Sequence, residues 1–217
     1  MRIRGAMLLV LVALLGSSCK GRFSAGGQGN LSGDPKASQS SQEAAQAGLT
    51  VLRSLVRTEN FQGMGFSSVD QVRNAQLSDP MKLYIVPLDA LTAYKGDASA
   101  AGLLQDAHKL IYPVTVDQQV VSSLSVTQRS DGWRANDFGN SALTRALVAH
   151  RASKDDFVAW VPALKIYFSA RGAGDALVLT PIMDDPRFGF KAGEAIPASR
   201  AFAVLQKNAG AYNGLPQ

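Results

Sequence analysis

His108 and His150 are the only histidines in the chain, so they are its only side chains with an ordinary pKa near neutrality. A zinc centre or a nucleophile triad needs histidine at purposeful spacing from Cys, Asp, Glu or Ser partners. His108 stands in DAHK and His150 in AHR, each at the expected end of a helix, where a cation complements the helix dipole. No HExxH, GxSxG or CxxC occurs. Acid pairs stand at Asp155-Asp156 and Asp184-Asp185. Paired carboxylates ligate calcium or share acid–base work only when both face one ligand. Adjacent residues of an extended chain point to opposite sides, so solvated turns at strand ends are expected for both pairs. The second pair has the richer neighbourhood, because DDPRFGF adds Arg187, Phe188 and Phe190. Asp184, Asp185 and Arg187 are therefore the candidate ligand site, with a loop packed back onto the sheet as the structural alternative. Trp133 and Trp160 fall in expected strands, where an indole fills a core or lines a cleft. Ser122-Ser123 also falls in a strand and is expected to face solvent. GAG at 172–174 and GGQG at 26–29 do not lead from a strand into a helix, so neither predicts a phosphate cradle. No residue set calls for a metal or a cofactor.

The one cysteine lies elsewhere. MRIR supplies two arginines, and AMLLVLVALL, Ala6 to Leu15, is an unbroken apolar run. As a helix it rises about 15 Å, roughly half a bilayer core, which suits an export signal and not a permanent anchor. GSSC follows, ending at Cys19. Residues 1–19 resemble the lipobox region of bacterial lipoproteins, in which the cysteine thiol takes a diacylglyceryl group and cleavage falls just before it. Ser17 and Ser18 match its small-residue positions; Gly16 stands where that pattern usually has leucine, and Leu15 lies one place further out. The resemblance implies a signal peptide over 1–18, lipid attachment at Cys19 and a place in the bacterial cell envelope. Lys20 stands where an inner-membrane retention signal has aspartate, which implies the outer membrane before the inner. Gly16-Ser17-Ser18 also satisfies ordinary signal cleavage, which would leave a free thiol near the new terminus. An exposed, unpaired thiol in an exported protein is an oxidation liability that acylation removes.

Residues 20–39 are rich in Gly, Ser and Gln, with Phe23 and Leu31 the only large apolar side chains. Such a segment cannot bury enough surface to offset its ordering entropy, so a flexible spacer reaching about 25 Å is expected. The division is then signal over 1–18, lipidated cysteine and linker over 19–39, and one globular domain over 40–217. The chain has 22 basic and 17 acidic residues, and Arg2 and Arg4 belong to the signal. The remaining surplus is small and unclustered, which argues against a nucleic-acid partner.

Within the domain, Ser40 and Glu43 form a capping-box pattern, and Ala45, Leu49, Leu52 and Val56 continue as a helical stripe. A second short helix is expected from Ser68 and a strand over 81–86. A helix capped by Asp97 is expected through DAHK. VTVD, VVSSLSVTQR and WRANDF divide as an antiparallel meander. Ser141 is expected to cap a helix over ALTRALVAHR. Residues 157–171 and 175–184 are expected as the two strands of a hairpin, followed by a helix over 197–210 with Pro197 at its start and Gly210 at its end. The fold expectation is α+β: a mainly antiparallel sheet, meander plus hairpin, with helices packed on one face. The functional expectation is a non-enzymatic lipoprotein whose domain binds or scaffolds another envelope component, a protein. Two competing expectations are a membrane-anchored hydrolase using Asp184 and Asp185, and a small-molecule or glycan binder with Trp133 or Trp160 lining a cleft.

Overall fold

The Ser40 hydroxyl accepts the Glu43 N–H at 3.2 Å, and the Glu43 carboxylate accepts the Ser40 N–H at 3.3 Å. This capping box starts α1, Ser41–Leu55. Ala45, Leu49, Leu52 and Val56 are buried as their spacing predicts, while Arg53 and Arg57 are exposed. The computed structural model describes residues 37–96 and 99–210, all within one compact unit. The signal segment, Cys19, the linker up to Lys36, the expected cap Asp97 and the tail after Gly210 lie outside the described residues.

The Ser68 hydroxyl accepts the Gln71 N–H at 3.2 Å, but the segment that follows is a 3-10 turn, Asp70–Asn74, with Val69 at its N-cap, and not a longer helix. Leu77 belongs instead to a short strand, β1, Gln76–Leu77. Then come β2, Met81–Ile85, and α2, Leu88–Ala93. The helix expected from Asp97 is not formed: a 3-10 turn at Ala100–Leu103 leads directly into β3, Gln105–Val116. LIYPVTV is rich in β-branched and aromatic residues, and its ladders to both β2 and the next strand outweigh the helical preference of the preceding LLQDAH. His108 therefore sits at a β-bulge with φ of 51°, its N–H bonded to Asp106 Oδ1 at 2.8 Å. Asp117 and Gln118, with φ of 49° and 64°, turn the chain into β4, Gln119–Arg129, and β5, Gly132–Phe138, follows. Positive φ at both central residues is what a tight right-twisted hairpin requires.

Asn140, and not Ser141, occupies the N-cap of α3, Ser141–Ala149. Pro162 divides the expected long strand into β6, Phe157–Val161, and β7, Ile166–Arg171, which form a hairpin of their own. β8, Val178–Pro181, extends it; β9, Ile196–Pro197, leads into α4, Ala198–Ala209. The sheet runs β5-β4-β3-β2-β6-β7-β8-β9, with β1 also paired to β3. Only β2 and β6 pair parallel; every other named pair is antiparallel.

The α+β class and the antiparallel meander and hairpin thus hold, and the helices divide three to one. α1 covers Tyr112, Leu124, Val126 and Ala135. On the same face, α2 and α4 cover Ala159, Phe168 and Leu179. α3 packs on the opposite face through Leu147, against Met81, Leu83, Ile111 and Val158. The cause lies in the central strands. β6 alternates Val158 with Ala159, both fully buried, so its two faces both need cover. α3 is too short to cover the whole second face, and what it leaves open is the cleft described next.

Candidate ligand cleft and acidic loop

The acidic loop is held by its own groups. Asp185 and Phe190 exchange backbone hydrogen bonds at 2.9 and 3.0 Å, closing the loop tightly. Asp184 Oδ1 accepts the Ala192 N–H at 2.8 Å. The Asp185 carboxylate takes both Arg187 Nε, at 2.9 Å, and Nη2, at 2.6 Å, and Nη2 also reaches the Leu164 carbonyl at 3.2 Å. Hydrogen bonding from Arg187 holds the Asp185 carboxyl below the usual carboxylate range. The Arg187 guanidinium lies 4.9 Å from the centre of the Phe188 ring, and Phe190 is buried edge-on against Phe168. The structure thus brings Asp185 and Arg187 together in a bidentate pair that fastens the loop. The cavity beside Asp184 and Asp185 holds about 30 Å³, close to the space of one or two waters. At the other pair, Asp156 is buried and accepts the N–H groups of Ala152 and Ser153, while Asp155 is exposed.

A larger concavity than the one at this loop lies on the α3 face. Lys109 on β3, Ser123 and Ser125 on β4, and Asp137 on β5 project there from alternating strand positions. Trp160 on β6 and Tyr167 on β7 are directly paired across their strands and stack at 5.3 Å with 5° between the rings. Leu143 and Thr144 of α3 form the opposite wall. The cleft encloses about 320 Å³, at the lower end of the range for small-ligand pockets. β7 lies on one side of Trp160 and β2 on the other, and both Trp160 and Tyr167 line the cleft.

The polar groups here are unequally satisfied. The Lys109 ammonium contacts the Asp137 carboxylate, and Ser123 Oγ donates to the Gly139 carbonyl. Thr144 Oγ1 donates to the Asn140 carbonyl at 3.1 Å. Ser125 is only 7% exposed, and its hydroxyl bonds to nothing among the described residues. Trp160 Nε1 is shielded from solvent and also lacks a partner. An unmet buried donor such as Trp160 Nε1 costs about 1–3 kcal/mol, and the Ser125 hydroxyl, without a protein partner, is left to water or a ligand in the cleft. Burial pushes the Tyr167 phenol up, so it stays protonated at neutral pH.

Ser122 and Ser123, expected to face solvent, are both buried: Ser122 lies fully buried on the α1 face and Ser123 under the loop before α3. Trp160 lines the cleft as one of the sequence readings has it, and Trp133 instead packs beside the α1 core. Lys109, Ser125, Asp137 and Tyr167 were not legible as site residues. The available signal is the alternation in VVSSLSVTQR, which sets Ser123, Ser125 and Thr127 on one face of a strand. Among the described residues no group of three or more His, Cys, Asp or Glu is placed to hold a metal ion, and no helix is long and apolar enough to cross a membrane. No protein-family model matches the chain, and no curated protein or solved structure is significantly similar to it.

Proposed function

We propose that this protein is a lipid-anchored binding protein of a bacterial cell envelope, tethered through Cys19, whose α3-face cleft takes a small polar ligand without transforming it. The single observation behind the binding role is the concave, partly polar cleft on the α3 face of the sheet. It holds an aromatic stack and an unpartnered, nearly buried hydroxyl. A cleft of this size suits a small molecule better than a protein surface, which would bury some 800 Å² on each partner. The lining carries no histidine, and its Lys109 and Asp137 neutralise each other. The hydrolase alternative at Asp184 and Asp185 loses its support because both carboxylates are engaged by the loop itself. The location rests on the N-terminal residues MRIR to Cys19.

Two measurements test the two halves. Cys19→Ser should release the mature protein into the aqueous fraction on cell fractionation; retention in the membrane fraction, or a free thiol by mass spectrometry of the parent, rejects the tether. Trp133→Phe leaves Trp160 as the only indole. A small-molecule screen against its fluorescence and its indole N–H resonance should yield saturable shifts, whereas a flat response across chemically diverse fragments rejects the cleft as a binding site.

A further inference from the structure

We infer that the ligand taken by this cleft is an uncharged saccharide of one or two rings, its apolar C–H face on Trp160 and its hydroxyls on Lys109, Asp137 and Ser125. The inference rests on the cleft being the binding site. Three features point to this class. First, charge: Lys109 and Asp137 contact each other and leave the lining without net charge, so a free anion or cation would meet its own kind as closely as its opposite. Second, hydrogen-bonding type: a sugar hydroxyl both donates and accepts. An ammonium with donors to spare, a carboxylate with one oxygen uncommitted, and an unpartnered serine hydroxyl together offer both complements within one concavity. Third, shape: the indole at the cleft is already held by its stack on Tyr167, so it is pre-oriented and loses little freedom on binding. A purely apolar ligand would strip water from the ion pair and from the Ser125 hydroxyl and return no hydrogen bond to either.

The pair Lys109 and Asp137 supplies the discriminating perturbation. Asp137→Asn leaves Lys109 uncompensated and gives the cleft a net positive charge. Full-length Trp133→Phe protein is titrated with methyl glucoside, methyl galactoside, methyl mannoside and cellobiose as neutral probes, glucuronate as the anionic probe and glucosamine as the cationic one. The Trp160 indole N–H is followed by NMR. At least one neutral sugar should saturate the shift, with glucuronate and glucosamine weaker. Asp137→Asn should weaken the neutral sugar about tenfold and raise glucuronate above its parental affinity. By calorimetry on protein that retains Trp133, Trp160→Ala should lose about tenfold in affinity, the step of one aromatic contact. Trp160→Phe, which keeps a flat ring, should recover most of it. Saturation by glucuronate or glucosamine alone overturns the uncharged class. So does a cleft that shifts with non-sugar fragments and with no sugar; in both cases the cleft stands as a binding site. A cleft that responds to nothing overturns this inference together with the reading beneath it.

Discussion

Gly48 lies in the middle of α1, where helix propensity alone favours alanine by about 1 kcal/mol. The structure predicts the opposite sign for Gly48→Ala. A Cβ at position 48 would stand 2.6 Å from the Ala135 Cβ on β5 and 3.6 Å from the two Leu124 methyls. The Leu124 contacts are ordinary; the Ala135 contact is short by about 1 Å, since carbon atoms settle at about 3.5–4.0 Å. Ala135 has no rotamer with which to retreat, so α1 or β5 must move. Ala45, Leu49 and Leu52 sit flush on the same surface at 1% exposure or less, and lifting the helix loosens all three. Overpacking of this kind costs about 1–3 kcal/mol. Against the propensity gain, the expected net effect is a destabilisation of about 1 kcal/mol, or a melting temperature lower by about 2–4 °C for a domain of this size. Removing the opposing methyl isolates the cause. Ala135→Gly alone should destabilise, and Gly48→Ala with Ala135→Gly should be more stable than the two single effects added together, by about 1 kcal/mol in a double-mutant cycle. Urea and thermal denaturation of the four proteins read this directly. If Gly48→Ala melts above the parent, or the cycle closes with no coupling, then α1 does not approach β5 as closely as the register implies.

Other perturbations probe the loops and the tight approaches. Arg151 fastens the segment after α3 to the segment before β2. Its guanidinium donates to the carbonyls of Asp79 at 2.9 Å, Pro80 at 3.1 Å, Ser153 at 2.9 Å, and Lys154. Arg151→Ala should cost about 2 kcal/mol and lower the melting temperature by about 4–8 °C, and Arg151→Lys should restore little because a point charge cannot match a planar fork; equal melting of lysine variant and parent would refute the fork. Asp185 has a carboxyl pKa depressed by Arg187, so the stability it contributes is present above the unfolded carboxylate pKa and lost as pH falls through the lower folded one. Asp185→Asn should therefore destabilise by up to about 1 kcal/mol at pH 7, with the gap closing in acid; a gap that persists at low pH means the pair contributes nothing through charge. Gly65 has φ of 94°, and a Cβ there would meet the Val121 carbonyl oxygen at 1.9 Å. Gly65→Ala should be among the most damaging single substitutions on the α1 side, visible as low soluble yield and early melting.

Elements whose signals are local were legible in the sequence. The capping box at Ser40 and Glu43, the stripe Ala45–Leu49–Leu52–Val56 and the meander all follow from neighbours within a few residues, and the structure shows each of them. Elements decided by distant partners were not. LLQDAH has helical preference, yet β3 exists because Lys109 to Val116 is sandwiched between β2 and β4. Residues 157–171 carry continuous strand propensity, yet Pro162 and the left-handed Lys165 fold them into two strands. At the acidic loop, composition correctly grouped Asp185 with Arg187 but could not show that each would satisfy the other.

The cleft was hidden for a related reason. Its residues come from β2, β3, β4, β5, β6, β7, α3 and the loop before it, so no short stretch of chain contains the pattern. What brings them together is β2, which pairs antiparallel with β3 and parallel with β6 and so joins the meander to the hairpin. That joint places the aromatic pair of the second unit beside the hydroxyl row of the first. It also creates central strands apolar on both sides, which draws α3 onto the second face. Cover and cleft therefore have a common origin: a nine-residue helix, about 14 Å long, shields Val158, Leu83 and Ile111 but stops short of leaving Trp160 fully enclosed. A longer helix would have sealed the face and left no room for a ligand; a missing one would have exposed an apolar sheet. The functional reading of this domain thus depends on a packing compromise at its centre, and not on any motif carried along the chain.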